Sequence, residues 1–455
     1  MGDRARFSPE ARILLACARL DLTDADRDGL AQALATGTDW DWLTDLAERH
    51  GLRPLLYRHL DAEVTERVPR QTLVDLWTHH ERRAFTNRLM AEELLRILGL
   101  LEHAGIPALP YKGPVLAASL HGDLALREFG DLDILLRPQQ VLAAKALLQA
   151  HGYRPLYDLK PAVEAAFLAS RAQYHLVMVH GVSSISVELH WMTDPDFPVE
   201  RIDDEQWWAG LDQIAVAGGR VRCFSNRELM LVLCLHGSKH HWTGLGWLVD
   251  VAELARRQSR ADWDWILARA KAMACERRLA LGLHLAGEWL GARLPLDVQR
   301  HAAAVSAVPE LAHKLSATWF TREHHSWGPV SRLRLDLELD DRGGLRLRHL
   351  ANVLFTPSLA EWSAWPLPRI LHVLYLPLRF VRLLWKYGTK SATQRHPAEH
   401  PCPVAVASHD DRASRLPIRR NPGGTRRLSN GPTACPHGTT ASPMRAMMVA
   451  ARLLR

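Results

Sequence analysis

Residues 127–136 read REFGDLDILL, two aspartates one residue apart at the head of an apolar run. The run has the composition of a strand entering a core, whereas Asp is depleted in strands. An unpaired buried carboxylate costs several kcal/mol, so any fold that contains this strand must supply something to offset the charge. A divalent cation meets that requirement, and the expectation is that a metal rather than a buried ion pair does so.

The rest of the chain sets the setting for such a strand. At 455 residues and 47% hydrophobic content it is globular and long enough for two or more domains. The formal charge of +7 comes from residues 401–455, which hold nine Arg against two Asp. The remainder is near neutral, which speaks against long nucleic acid as a partner. Six cysteines are scattered with no C-x-x-C pair, so neither a disulfide framework nor a zinc ribbon is expected, and a reducing cytoplasm fits. The N-terminus shows no apolar region of the secretory kind. The apolar stretch LPRILHVLYLPLRFVRLLW at 367–385 is cut by Arg369, Pro377, Arg379 and Arg382. It is too broken for a spanning helix and leaves only peripheral membrane contact as a weak reading.

Periodicity predicts an α+β fold in which a small mixed-sheet core is flanked by helical regions. Residues 1–105 read as helical, with SPEARILLACARL behind a Ser-Pro start and a long helix ending at Gly105. Residues 106–195 read as the α+β core. It begins with the short strand IPALPYKG, the helix PVLAASLHG opened by Pro114, and the strand DLDILLR. The helix QQVLAAKALLQAHG and the hairpin YHLVMVHGVSSISVELHW, turning near Gly181, complete it. Residues 196–345 read as mainly helical, the helices following a second hairpin that turns at Gly218 and Gly219 and a capping box from Ser225 to Glu228. An amphipathic basic helical segment is expected at 346–390 and a disordered tail at 391–455, where apolar periodicity is lost.

Side chains alternate across a strand, so Asp131 and Asp133 share one face while Leu132, Ile134 and Leu136 share the other. In the later strand Ser186, Glu188 and His190 point opposite to the apolar Ile185, Val187 and Leu189, so Glu188 is able to join the two aspartates. Three carboxylates on adjacent strands offer the oxygen ligands that Mg²⁺ requires and support two-metal phosphoryl chemistry. A D-x-D by itself is common at turns; it is the context, with Gly113 ahead of a helix upstream and an acidic strand downstream, that carries information.

At these residues the chain resembles a known family. YKGPVLAASLHGDLALREFGDLDILL, then VELHW, then LCLHGSKHHWTGLGWLVDVAEL, is similar to the bacterial uncharacterised nucleotidyltransferase family, a branch of the DNA polymerase beta-like superfamily, over roughly residues 40–390. The resemblance implies a glycine motif cradling a nucleoside triphosphate such as ATP, and three carboxylates, Asp131, Asp133 and Glu188, binding two Mg²⁺ ions. Lys112 and Gly113 stand where the superfamily usually has Gly-Ser, and the gap from Gly113 to Asp131 is longer than usual. Lys112 reads either as a phosphate ligand on an exposed loop, removable without harm to the fold, or as a solvated surface lysine. Arg127 reads either as a phosphate contact or as the partner of an aspartate.

His236 and His240 are four residues apart on one predicted helix, but Gly237 occupies the position where H-E-x-x-H has its glutamate, so a zinc protease reading fails. Lys239 and His240 are candidates to reach the nucleotide or acceptor from the helical region; the other reading is that these His and Trp residues pack a helix pair. No P-loop and no complete dinucleotide fingerprint is present. The function expected is Mg²⁺-dependent nucleotidyl transfer to an acceptor hydroxyl on a small molecule, peptide or protein, with Glu188 or His190 taking the proton. The alternative is a non-catalytic nucleotide-binding or regulatory protein that keeps the fold. Residues after about 391 lack the apolar content to offset ordering entropy, so a truncation near Gly388 is expected to keep the main thermal transition, as calorimetry would show.

Overall fold

The computed structural model describes residues 7–355 except 158, 169, 171, 172, 198 and 324–326, together with 374, 375, 377–379 and 381. The tail expected at 391–455, and most of the basic segment expected at 346–390, lie outside the described residues.

Helix starts follow local chemistry. Pro9–Cys17 begins with Ser8 accepting from the Ala11 N–H, with Pro9 in the first turn. The continuous helical periodicity before Gly105 becomes one helix of 34 residues, Arg70–His103. Ser225 and Glu228 form the expected capping box ahead of helix Asn226–Lys239, the Ser225 hydroxyl donating to Glu228 at 2.7 Å.

The sheet is small and mixed. Its strands are β1 (Ala108–Pro110), β2 (Asp131–Leu136), β3 (Tyr153–Pro155), β4 (His175–His180) and β5 (Ser186–His190), in the spatial order β1-β2-β5-β4-β3. Only β2 and β5 run parallel; the other neighbours are antiparallel. Both edge strands are three residues long and contain a proline, Pro110 and Pro155, which limits further pairing. The expected second hairpin is β6 (Asp212–Val216) with β7 (Gly219–Cys223). Strand β3 and helix Pro161–Leu168 had no clear sequence signal, because a three-residue edge strand ending in proline and an eight-residue helix are both too short for periodicity to register.

The two faces of the sheet meet different cores. Leu132, Ile134, Leu136, Val187, Leu189, Leu176 and Met178 pack with Met90, Leu94, Ile97 and Leu101 of the 34-residue helix. Leu135, Leu109 and Tyr111 instead belong to the large helical core that includes helices Asn226–Lys239, Leu245–Ala255 and Glu276–Leu290. The aspartate face of β2 is therefore the face that the helices cover, and Asp133 is only 3% exposed.

The turn that leaves helix Asn226–Lys239 is strained, with His241 at φ +52 and Trp242 at φ +50. Trp242 is fully buried, and its carbonyl accepts from the Trp319 indole at 2.8 Å. Its ring fills the space above two glycines: a Cβ on Gly237 would lie 2.4 Å from it, and one on Gly282 2.8 Å. This explains the glycine at the position where a metalloprotease helix carries glutamate. Among the described residues no helix is long and apolar enough to cross a membrane. Gly237→Ala is expected to cost about 1–3 kcal/mol through overpacking against Trp242. Thermal melting followed by circular dichroism checks this, an unchanged midpoint showing that the indole has room to move.

Candidate active site

Strand register brings the acidic residues together. In the parallel pair Asp131 lies opposite Ser186, Asp133 opposite Glu188 and Leu135 opposite His190, and cross-strand partners share a face. Antiparallel pairing of β4 with β5 sets His175 opposite His190. One sheet face thus carries Asp131, Asp133, Glu188, His190 and His175 side by side.

Asp133 is the hub of this group. Its Oδ1 is 2.6 Å from the Lys112 ammonium and 3.0 Å from His190 Nε2. His190 Nε2 also lies 3.0 Å from Glu188 Oε2, and His175 Nε2 is 3.9 Å from that same oxygen. The expectation that no buried ion pair offsets the aspartates is therefore corrected: Lys112 and His190 supply positive charge directly. Lys112 is also not on an exposed loop. Its side chain is 14% exposed, packed over the Tyr111 ring at 5.2 Å from the centroid.

The electrostatics follow from this geometry. Burial pushes the Asp133 carboxyl up, but Lys112 and His190 more than offset it and hold it well below the usual carboxylate range. Burial and then the Asp133 charge push Asp131 the other way, up to about 6. Burial pushes Glu188 up, but the His190 hydrogen bond together with the His175 and His190 charges holds it below its ordinary value. His190 in turn is raised: burial disfavours its charge, and the hydrogen bonds to Asp133 and Glu188 restore it. Burial and the neighbouring His190 bring His175 down to about 4. One oxygen is left over. Asp133 Oδ2 is buried and has no hydrogen-bond partner among the described residues. A buried carboxylate oxygen facing no donor is costly, and a divalent cation satisfies it, so the donor set fits a metal.

Gly113 sits just before helix Pro114–Leu116 with φ +51 and ψ −124, a conformation open to glycine. A Cβ there would lie 3.0 Å from the Asp131 carbonyl oxygen, so glycine is what lets the segment after β1 approach the head of β2.

The other candidates separate. Arg127 uses its guanidinium fork on Asp250, Nε to Oδ2 at 3.0 Å and the terminal nitrogen to Oδ2 at 2.9 Å, with His121 Nε2 on Oδ1 at 2.8 Å. Of the two readings for Arg127, pairing with an aspartate is the one seen, and the aspartate lies on helix Leu245–Ala255. Lys239, the last residue of its helix, places its ammonium 3.9 Å from the Tyr174 ring centroid, next to His175. Burial and the Lys112 charge bring it down to about 7. His236 and His240 lie edge to face at 4.6 Å and both pack on Trp247, the arrangement of a helix-pair contact. Lys239 and His240 also line a cavity of about 510 Å³ with Arg49, Trp319, Trp327 and Asp336.

Sequence reasoning missed His175 and Asn87. His175 was legible in principle, since counting outward from the 181–184 turn pairs it with His190. Asn87, fully buried on the 34-residue helix, donates to the carbonyls of Leu124 and Arg127 at 2.7 and 2.9 Å and so fixes the loop ahead of β2. No short-range signal marks that contact.

A family model described as Uncharacterised nucleotidyltransferase matches residues 36–291, ending short of the region to which the sequence resemblance extends. No curated protein and no solved structure matches the chain.

In chelator, Lys112→Ala is expected to lower stability by about 3 kcal/mol, the scale of breaking a buried pair from one side, in place of the neutral effect expected of an exposed lysine. Asp131→Asn has the opposite sign. A carboxyl raised to about 6 contributes stability below its unfolded value near 3.8 that is lost as pH rises through 6. The variant should therefore melt higher than wild type at pH 8 and close to it at pH 4.5. Melting curves at the two pH values check both statements.

Proposed function

The chain belongs to the uncharacterised nucleotidyltransferase family, and on that footing we propose that it transfers a nucleotidyl group from a nucleoside triphosphate to an acceptor hydroxyl. The observation that carries this reading is the pairing of Asp133 with Glu188 across parallel strands, with Asp131 on the same face and a buried Asp133 oxygen lacking a partner among the described residues.

In this reading Asp131, Asp133 and Glu188 would hold two Mg²⁺ ions, which would supply neutralisation of the triphosphate and polarisation of its α-phosphate. Lys112, already at the carboxylate cluster, offers a compact cation to the phosphates. Gly113 lets backbone come close to them. The acceptor oxygen bonds to the α-phosphorus as the bond to pyrophosphate breaks, and the hydroxyl proton passes to Glu188, which lies one hydrogen bond from His190. Arg127, engaged with Asp250, acts here as a positioning residue for the loop before β2 and not as a phosphate ligand.

The cavity lined by Lys239 and His240 is the proposed acceptor site. Its volume of about 510 Å³ suits a small molecule or a single peptide side chain. Lys239 links it to the carboxylate face through Tyr174. The ion pair between Lys112 and Asp133 favours one further reading, a nucleotide-binding protein without turnover, because it offsets one of the carboxylate charges without a metal.

Pyrophosphate release from α-labelled triphosphates in Mg²⁺, with transfer of label to candidate acceptors, decides between these. Asp133→Asn is expected to reduce release by about 100-fold or more, the scale of losing one electrostatic group at a transition state. Tight nucleotide binding with no release under any acceptor leaves the binding reading, and absence of nucleotide binding sinks both.

A further inference from the structure

We infer that the carboxylate face also carries a nitrogen-ligated site for a first-row transition-metal ion of the Mn²⁺ to Zn²⁺ series, built from His175, Glu188 and His190 with Asp133 beside them. It rests on the reading that these carboxylates hold divalent cations, and it goes beyond that reading in ligand set and in class of ion.

Geometry supplies the argument. His175 and His190 are register partners on antiparallel strands, and Glu188 is two residues from His190 on the same face. One ligating atom from each of the three lies within 4.8 Å of the others. The individual spacings are 3.0 Å from His190 Nε2 to Glu188 Oε2 and 3.9 Å from His175 Nε2 to the same oxygen. Donors about 2.1 Å from a shared ion lie about 3.0 Å apart in octahedral and about 3.4 Å apart in tetrahedral coordination, so these spacings bracket what one ion needs. Asp133 adds an oxygen 3.0 Å from His190 Nε2 and a second, buried oxygen with no partner among the described residues, on a side chain 1% exposed. An ordinary core histidine finds one carbonyl or carboxylate. Here two imidazoles converge on one carboxylate, with a second carboxylate alongside.

Ligand chemistry then selects the ion. Mg²⁺ takes oxygen ligands and keeps several waters, whereas imidazole with carboxylate suits Mn²⁺, Co²⁺ and Zn²⁺. Entry is open: His175 and Glu188 retain 26% and 23% of their side-chain exposure, while His190 is closed off at 2%. Lys112 sits on Asp133 Oδ1 and leaves Glu188 to the histidines.

The test uses the full-length chain stripped with chelator and titrated with Co²⁺ and, separately, Mn²⁺. Visible absorption of the Co²⁺ form and pulsed electron paramagnetic resonance of the Mn²⁺ form report nitrogen in the coordination sphere. One tight equivalent with nitrogen couplings is expected, displaced by Zn²⁺ and not by millimolar Mg²⁺. His175→Gln, partly exposed and so tolerated by the fold, should weaken that equivalent by about 10-fold or more and diminish the nitrogen signal, which separates it from the many surface histidines. Binding with oxygen couplings alone, or a nitrogen signal unchanged in His175→Gln, overturns the inference and leaves the carboxylate reading standing. No divalent cation bound, with or without nucleotide, overturns both.

Discussion

Asp133 is held between the Lys112 ammonium and the His190 imidazole, and the sheet could not bury its acidic face without that contact. Three carboxylates on two adjacent strands repel one another, and the helices that cover them remove most of the water that would screen the repulsion. Lys112 comes from the segment that follows β1 and His190 from β5, so one cation arrives on the sheet and the other on the chain leaving its edge strand. Two cations face three carboxylates, and the imbalance falls on Asp131, whose carboxyl is pushed up to about 6.

Around this hub the remaining polar contacts act as alignment. Arg127, His121 and Asp250 tie the approach to β2 to helix Leu245–Ala255, with Asp250 almost wholly buried. Asn87 ties the same approach to the 34-residue helix from the other side. Gly113 allows the backbone to touch the head of β2. Each of these lies outside the carboxylate group, yet each constrains where Asp131 begins.

Much of this was visible in the chain because it depends on local periodicity. The alternation of DLDILL and of SVELH states which residues share a face, and the hairpin glycines and the Ser225 cap state where elements begin. The two acidic strands were read as adjacent, but their parallel pairing was not legible, since no local pattern reports which distant strand a strand will choose or in which direction. The ion pairs escaped for a similar reason: Lys112, the partner of Asp133, looks like a loop lysine until the helical core is seen to close over it, and Asp250, the partner of Arg127, looks like one more helix residue. His175 is the instructive omission, because turn length and alternation were both in hand and together place it opposite His190.

The parallel pair also bears on how the chain folds. Strands β4 and β5 are neighbours in sequence and close a short loop, so their hairpin can form early, whereas β2 must find β5 across about 50 residues and so pays a larger loop-closure entropy. Loop closure therefore favours grouping Glu188, His190 and His175 before either aspartate reaches them. A centre half-built in that order is rich in imidazole and poor in carboxylate, and docking of β2 is the step that reverses this.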